Sequence, residues 1–220
     1  MLPLSLARPK GHALRVLCLG AHSDDIEIGC GGTVLRLAAA GAQVHWAVFS
    51  GDADRAEEAS RSARLFLGKG AARQLTLHEF RDGFFPAAFA DVKDACEVLA
   101  SRIQPDVVLT HSRHDRHQDH RILSDLAWNT FRDQVLLEYE IPKWDGDLGQ
   151  PNCYVPLSAA TARRKVRSLM QVFASQRSKG WFDDATFLGL MRLRGVECRA
   201  ASGYAEAFVS RKFTMELGRK

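Results

Sequence analysis

The sequence has no apolar run long enough to cross a membrane. A spanning helix needs about 20 predominantly apolar residues, and the 220 residues contain no such stretch. Residues 1–10 also lack the apolar centre and the cleavage pattern of a signal peptide. These absences predict a cytoplasmic protein without a membrane span.

Cysteines are few, odd in number and dispersed along the chain. None belongs to a C-x-x-C pair, so the sequence indicates neither a disulfide framework nor a zinc site made of thiolates. We expect reduced, mostly buried thiols. The five residues are Cys18, Cys30, Cys96, Cys153 and Cys198.

Charge of one sign is not concentrated either, although the net charge is +4. Lysine and arginine alternate with aspartate and glutamate through most of the chain. The one cluster consists of Arg163, Arg164, Lys165 and Arg167. Aromatic side chains that could stack on nucleic-acid bases do not accompany it. We therefore interpret the cluster as a solvated helix face and predict no nucleic-acid partner.

Apolar runs and helical patterns alternate along the first two thirds of the chain. Strands are predicted over 13–21, 43–50, 73–80, 106–110 and 134–141, and helices over 32–40, 55–67, 89–103 and 119–131. Parallel neighbours need a crossover long enough to hold a helix. The order therefore predicts an α/β fold, a Rossmann-like, doubly wound, mostly parallel sheet with helices on both faces.

The chain changes character after residue 141. Residues 142–156 contain three prolines and predict a long irregular connection. Helices are predicted over 161–174 and 184–194, and a strand over 204–213 that could join the sheet edge. We expect a single domain over 1–220, with its core in 13–141 and a C-terminal helical and strand elaboration in 142–220.

Residues that suit a metal site follow the first predicted strand. His22, Asp24 and Asp25 precede a glycine-rich stretch, 29–32, that predicts a turn. His22 and Asp25 could converge on one ion, while Asp24 faces the space beside it. Capping of the next helix by an aspartate is the structural alternative. A dinucleotide site is disfavoured because the G-x-G-x-x-G spacing is absent.

Four of the eight histidines follow the fourth predicted strand, namely His111, His114, His117 and His120. A catalytic zinc ion takes three protein ligands and leaves one position open. Either His117 or His120 could complete the set begun by His22, which leaves the other for proton transfer. We expect His111 and His114 to be solvated loop residues, and the isolated His12, His45 and His78 to be structural or at the surface.

Two short motifs resemble the signatures of the LmbE-like, or PIG-L-type, zinc-dependent N-deacetylase family. The family's A-H-P-D-D is matched by residues 21–25, except that Ser23 replaces the usual proline, and its H-x-D-H is matched by 117–120. Residues 26–32, Arg55 with Glu58, and 204–208 also resemble the family.

The resemblance implies specific roles. His22, Asp25 and His120 would bind one Zn²⁺ per chain, or another divalent metal. Asp24 would be the general base, and His117, oriented by Asp119, would stabilise charge or protonate the leaving amine. Arg55 would bind a small-molecule N-acetylated sugar or conjugate, and relatives of this kind are often homo-oligomers. Trp144 and its loop are candidates for shaping the pocket.

Two alternatives remain at this point. The first is a zinc hydrolase of another amide or of an ester, since activated water attacks several carbonyl types. The second is a non-catalytic α/β binding module. The presence of both Asp24 and His117 disfavours the second, because a binding protein needs no base beside an open metal site.

Overall fold

The computed structural model describes residues 2–6, 12–68 and 70–215. Within them lie seven strands and six α-helices, which alternate from β1 to β5. The strands are β1 (Arg15–Gly20), β2 (Gln43–Ser50), β3 (Leu75–Phe80), β4 (Val107–His111), β5 (Val135–Tyr139), β6 (Cys153–Leu157) and β7 (Tyr204–Ser210). The helices are α1 (Asp25–Ala39), α2 (Ala53–Leu67), α3 (Phe89–Ile103), α4 (Gln118–Thr130), α5 (Ala159–Val172) and α6 (Asp184–Glu197). Among these described residues, no helix combines the length and the apolar character needed to cross a membrane.

The seven strands form one sheet in the order β3-β2-β1-β4-β5-β7-β6. The five strands from β3 to β5 are parallel, and β7 runs antiparallel to β5 and β6. This confirms the predicted mostly parallel, doubly wound sheet. The strand order reverses between β1 and β4, and a sheet of this kind binds ligands at the carboxyl ends of such strands.

The sheet separates two apolar layers. Helices α1, α2, α5 and α6 pack on one face, and α3 and α4 pack on the other. Alternate residues of β1 enter the two layers, with Val16 and Cys18 on one side and Leu17 and Leu19 on the other. Because both faces are covered, the strands read as continuous apolar runs.

The C-terminal part differs from the prediction in two respects. Strand β7 lies inside the sheet, between β5 and β6, and β6 forms the edge. The irregular connection predicted over 142–156 was wrong for its last residues, which form β6. Its Pro156 lacks an N–H, and proline is tolerated in an edge strand.

The glycine-rich turn predicted at 29–32 was also wrong, because helix α1 already begins at Asp25. The helix is kinked at Cys30, where φ is −142°. Gly29 lies against the ring of Tyr139, and a Cβ at this position would be 2.1 Å from a ring carbon. The glycine therefore permits close packing rather than a turn.

A buried ion pair supplies hydrogen-bond partners for backbone groups at the kink of α1. Glu206 accepts hydrogen bonds from the backbone amides of Gly32 (2.8 Å) and Thr33 (2.6 Å). Lys165 Nζ donates to the carbonyl oxygen of Ile28 at 2.7 Å and to Glu206 at 2.6 Å. Helix ends need such partners for their unpaired backbone groups. The interpretation of Lys165 as a solvated residue was therefore wrong.

The remaining basic residues of that cluster, Arg163, Arg164 and Arg167, are exposed on α5 as predicted. The prediction for the cysteines is confirmed as well. All five are free thiols, of which Cys18, Cys30 and Cys96 are buried.

Candidate metal centre

The predicted site residues meet at the carboxyl ends of β1 and β4. His22 and Asp24 follow β1 directly, and Asp25 begins helix α1. His120 lies in the first turn of α4, which follows β4. Because β1 and β4 are adjacent and parallel, residues almost a hundred positions apart in the sequence share one site.

Three side chains converge on a single point. His22 Nδ1 lies 3.0 Å from His120 Nε2 and 3.3 Å from Asp25 Oδ2, and His120 Nε2 lies 3.5 Å from Asp25 Oδ1. Ligand atoms on a tetrahedral zinc ion with bonds of about 2.0 to 2.2 Å are roughly 3.3 to 3.6 Å apart. Two of the three distances fall within this range, the third is 0.3 Å shorter, and the mixed nitrogen and oxygen donors suit one divalent ion.

Carboxylates behind both imidazoles favour the same arrangement. Asp82 Oδ1 lies 3.0 Å from His22 Nε2, and Asp115 Oδ2 lies 2.9 Å from His120 Nδ1. A carboxylate favours the proton on the ring nitrogen that it faces. The opposite nitrogens, His22 Nδ1 and His120 Nε2, lie 3.0 Å apart and face each other, so a neutral His22 presents a second lone pair at this point. Two lone pairs beside the Asp25 carboxylate favour a cation between them.

The pKa values of His22 and His120 agree with this arrangement. Burial by itself lowers the pKa of His22, but Asp25, Asp119 and Asp82 outweigh it and hold that pKa well above its usual value. Burial and the neighbouring His111 lower the pKa of His120 to about 4. The carboxylates around His22 therefore favour positive charge at this point, and His120 keeps a lone pair for a cation.

Asp24 is buried beside these groups and does not cap helix α1, although it occupies the N-cap position. The capping alternative is therefore wrong for Asp24. Burial and then the charge of Asp25 raise the pKa of Asp24 to about 6. Asp25 is held differently, because its Oδ2 accepts the backbone N–H of His22 at 2.6 Å. The Asp24 carboxylate makes no capping hydrogen bond of its own.

His117 lies next to the convergence point. Its ring centroid is 4.8 Å from that of His22 and 4.7 Å from that of His120. Its Nδ1 is buried and has no hydrogen-bond partner in the described part of the chain. Burial and the charge of His22 lower the pKa of His117. A neutral imidazole with an unused nitrogen is available here for proton transfer.

Asp119 contacts a loop and His22 rather than His117. Its carboxylate accepts the backbone N–H groups of Gly83 at 2.6 Å and Phe85 at 3.1 Å, and lies 3.5 Å from His22 Nε2. Among the described residues, no hydrogen bond joins Asp119 to His117. Orientation of His117 by Asp119 stays a prediction.

Arg55 lies at the edge of the site. It stands in the first turn of α2, where Asp52 caps the helix by accepting its backbone N–H at 3.0 Å. Arg55 Nη1 contacts Asp82 Oδ2 at 3.0 Å, so one carboxylate links the guanidinium to His22. A quarter of the Arg55 side chain is exposed. Glu58 points elsewhere and accepts from Ser175, which is a structural contact.

The interpretation of His111 as a solvated loop residue was wrong. His111 is the last residue of β4 and is fully buried. Its Nε2 accepts the backbone N–H of Ala21 at 3.0 Å. The same nitrogen lies 3.2 Å from Asp25 Oδ2, and the ring stacks on His120 with centroids 3.9 Å apart. Its place at a strand end was the signal that could have identified it.

The other histidines are placed as predicted. His114 and His12 are exposed. His45 lies on β2 and contacts Thr76 Oγ1 at 2.8 Å, and His78 is half-buried on β3. None of the four belongs to a group of possible metal ligands within the described ranges.

Trp144, a candidate for shaping the pocket, is 73% exposed and packs edge-on against Trp181 with centroids 6.2 Å apart. Its neighbour Lys143 reaches the site, with Nζ 3.1 Å from Asp115 Oδ1. Sequence reasoning assigned no role to Lys143 or to Asp115. A substrate contact by Trp144 stays a prediction.

A model of the PIG-L family, described as GlcNAc-PI de-N-acetylase, matches residues 17–131. A relative from Escherichia coli (strain K12), described as the uncharacterized deacetylase YaiS, is 35% identical over 141 residues. That match covers 58% of this chain and 74% of the relative.

Solved structures share the fold at low identity. N,N'-diacetylchitobiose deacetylase from Pyrococcus horikoshii, complexed with an inhibitor, has a TM-score of 0.69 at 22% identity and covers 90% of this chain and 84% of its own. GalB, the 4-carboxy-2-hydroxymuconate hydratase from Pseudomonas putida KT2440, has a TM-score of 0.71 at 20% identity and covers 93% and 100%. The same fold thus occurs in a deacetylase and in a hydratase, so a reaction has to be inferred from the residues of the site and not from the fold.

Proposed function

We propose that this chain, which belongs to the PIG-L family, is a metal-dependent N-deacetylase that releases acetate from a small-molecule N-acetylated sugar or conjugate. The observation that carries the proposal is the convergence of His22 Nδ1, His120 Nε2 and the Asp25 carboxylate within 3.5 Å of one another. The deacetylases among its relatives support the reaction type.

His22, Asp25 and His120 would hold one zinc ion. When bound, the ion would polarise an amide carbonyl and lower the pKa of a coordinated water to about 7. The same donors accept other divalent metals, so metal analysis has to identify the ion.

Asp24 would act as the general base. Water attacks the acetyl carbonyl carbon while Asp24 accepts one of its protons, and a C–O bond forms. The C–N bond then breaks, and its nitrogen receives a proton from Asp24 or His117. Acetate and a primary amine are the products. His117 also lies where it could stabilise the charge of the transition state, and one oriented donor of this kind contributes about 3 to 4 kcal/mol.

Arg55 would bind the substrate. Its guanidinium is partly exposed and is fixed by Asp82 beside His22. A guanidinium presents several N–H donors in a rigid fork, which suits a substrate rich in hydroxyl or carbonyl oxygens.

We also propose a cytoplasmic, homo-oligomeric enzyme.

The experiment that tests the proposal joins metal analysis to substrate profiling. Purified protein is analysed for bound metal and incubated with N-acetylated sugars, an O-acetylated sugar and an unsaturated dicarboxylic acid. We expect stoichiometric zinc or a similar divalent metal, together with acetate and primary amine from the N-acetylated sugars. Release of acetate from the ester alone would indicate an esterase, and hydration of the acid would indicate a hydratase. A protein that shows neither turnover nor bound metal would favour a binding module.

A further inference from the structure

Lys143 lies behind His120 and is separated from it by a single carboxylate. Asp115 Oδ2 is 2.9 Å from His120 Nδ1, and Asp115 Oδ1 is 3.1 Å from Lys143 Nζ. Only 5% of the Asp115 side chain and 8% of the Lys143 side chain are exposed. Lys143 comes from the segment after β5, which supplies none of the proposed ligands.

Asp115 serves two parts of the site at once. Besides His120, it holds the backbone of His117, whose N–H donates to Asp115 Oδ1 at 2.8 Å. His117 is the N-cap residue of α4, and its own side chain makes no capping hydrogen bond. The orientation of Asp115 therefore sets both the start of this helix and the ring of His120.

Lys143 is itself fixed on the opposite side. Its Nζ lies 2.5 Å from Asp147 Oδ2, and that oxygen accepts the backbone N–H of Arg116 at 2.7 Å. Burying an ammonium group costs several kcal/mol unless carboxylates compensate for it. Three carboxylates do so here, those of Asp115, Asp147 and, at 3.7 Å, Asp145. They hold the segment 143–147 against the turn that contains Asp115.

We infer that Lys143 is a positioning residue, which fixes the Asp115 carboxylate and through it the metal-binding orientation of the His120 ring. The inference rests on the proposed function, because His120 is a proposed ligand. A carboxylate that accepts the Nδ1 proton keeps Nε2 free for the metal. Without the ammonium group, Asp115 Oδ1 keeps only the N–H of His117, no cation lies between the carboxylates of Asp115 and Asp147, and the ring of His120 loses part of its support.

The test is metal affinity, measured without reference to turnover. Metal-depleted protein is titrated with Co²⁺, and the visible d–d absorption reports the occupied site. Loss of a partner behind a ligating histidine weakens metal binding about 10- to 100-fold. We expect a loss in that range for Asp115→Asn, a smaller loss of at least about threefold for Lys143→Met, and affinity near wild type for Lys143→Arg.

The double variant separates an effect through Asp115 from an independent one. If Lys143 acts through Asp115, then Asp115→Asn with Lys143→Met binds Co²⁺ no more weakly than Asp115→Asn alone. If the two losses multiply instead, the inference is overturned. Lys93→Met is the matched control, since Lys93 forms an ion pair with Glu97 on the exposed face of α3, and we expect wild-type affinity.

Failures of the two proposals can be told apart. A wild-type protein that gives no d–d band overturns the metal site and this inference together. A normal wild-type band with Lys143→Met within twofold of wild-type affinity overturns only the role of Lys143. Circular dichroism of the metal-depleted variants verifies folding. If Lys143→Met does not fold, Lys143→Gln replaces it under the same criterion.

Discussion

Two buried clusters of charged side chains lie along helix α1, one at its first residue and one at its kink. At the kink, Lys165 and Glu206 find all their partners within the protein, since they contact each other, the carbonyl of Ile28 and the amide of Gly32. At the first residue, two imidazole nitrogens face each other beside a carboxylate, and Asp24 caps nothing. The cluster at the kink is saturated, because its charges are paired within the protein. The cluster at the first residue is unsaturated, because His117 Nδ1 has no partner among the described residues, and it suits the proposed metal site.

Removal of a proposed metal ligand has the largest expected effect on the first cluster. We expect His120→Ala to lose both bound metal and acetate release, because two donors on one short segment remain. Metal content by mass spectrometry and turnover measure the two effects. A variant that keeps stoichiometric metal would remove His120 from the ligand set.

Asp24→Asn tests the unsaturated cluster without touching the ligands. We expect turnover to fall by about 10²- to 10⁴-fold, the usual contribution of a general base, while the metal content stays at the wild-type level. If Asp24→Asn remains fully active, another group accepts the proton of the attacking water.

Lys165→Met tests the saturated cluster. Removing one partner of a buried ion pair costs about 3 to 5 kcal/mol, because Glu206 keeps its charge without a counter-ion. We expect a loss of that size in the free energy of unfolding by urea, with activity per folded molecule near wild type. A loss of metal with unchanged stability would mean that the two clusters do not have different roles.

Gly29→Ala tests the region between the clusters. The added Cβ would meet the buried ring of Tyr139, and overpacking of this kind costs about 1 to 3 kcal/mol. We expect a lower melting temperature. Unchanged stability would show that the Tyr139 ring can move aside.

Arg163→Ala has the smallest expected effect and is the control for Lys165→Met. Arg163 is exposed on the same helix, α5, and surface substitutions stay within about 0.5 kcal/mol. A loss comparable to that of Lys165→Met would contradict the distinction between the solvated face and the buried cluster.

Local patterns were sufficient to predict the order of strands and helices up to β5, and the two strands that His22 and His120 follow. Apolar runs reflect burial on both faces of a parallel sheet, and such burial is visible in the sequence. Strand β6 could not be predicted this way, because Pro151 and Pro156 suggest a loop, and its pairing with β7 depends on residues about fifty positions later.

The groups around the site depend still more on tertiary structure. Asp82 reaches His22 from the end of β3, and Lys143 reaches Asp115 from the segment after β5. Lys165 and Glu206 are 41 residues apart, and the sequence alone gives no sign that their charges pair. Only Asp115 and His111 had a local signal, namely their position beside the H-x-D-H motif at a strand end.

The most direct test of the metal centre is a crystal structure of the zinc-loaded protein, with anomalous data collected above and below the zinc edge. We expect one anomalous peak about 2.0 to 2.2 Å from His22 Nδ1, His120 Nε2 and an Asp25 oxygen. A peak at another group of residues, or no peak at this position in protein with stoichiometric zinc, would contradict the account.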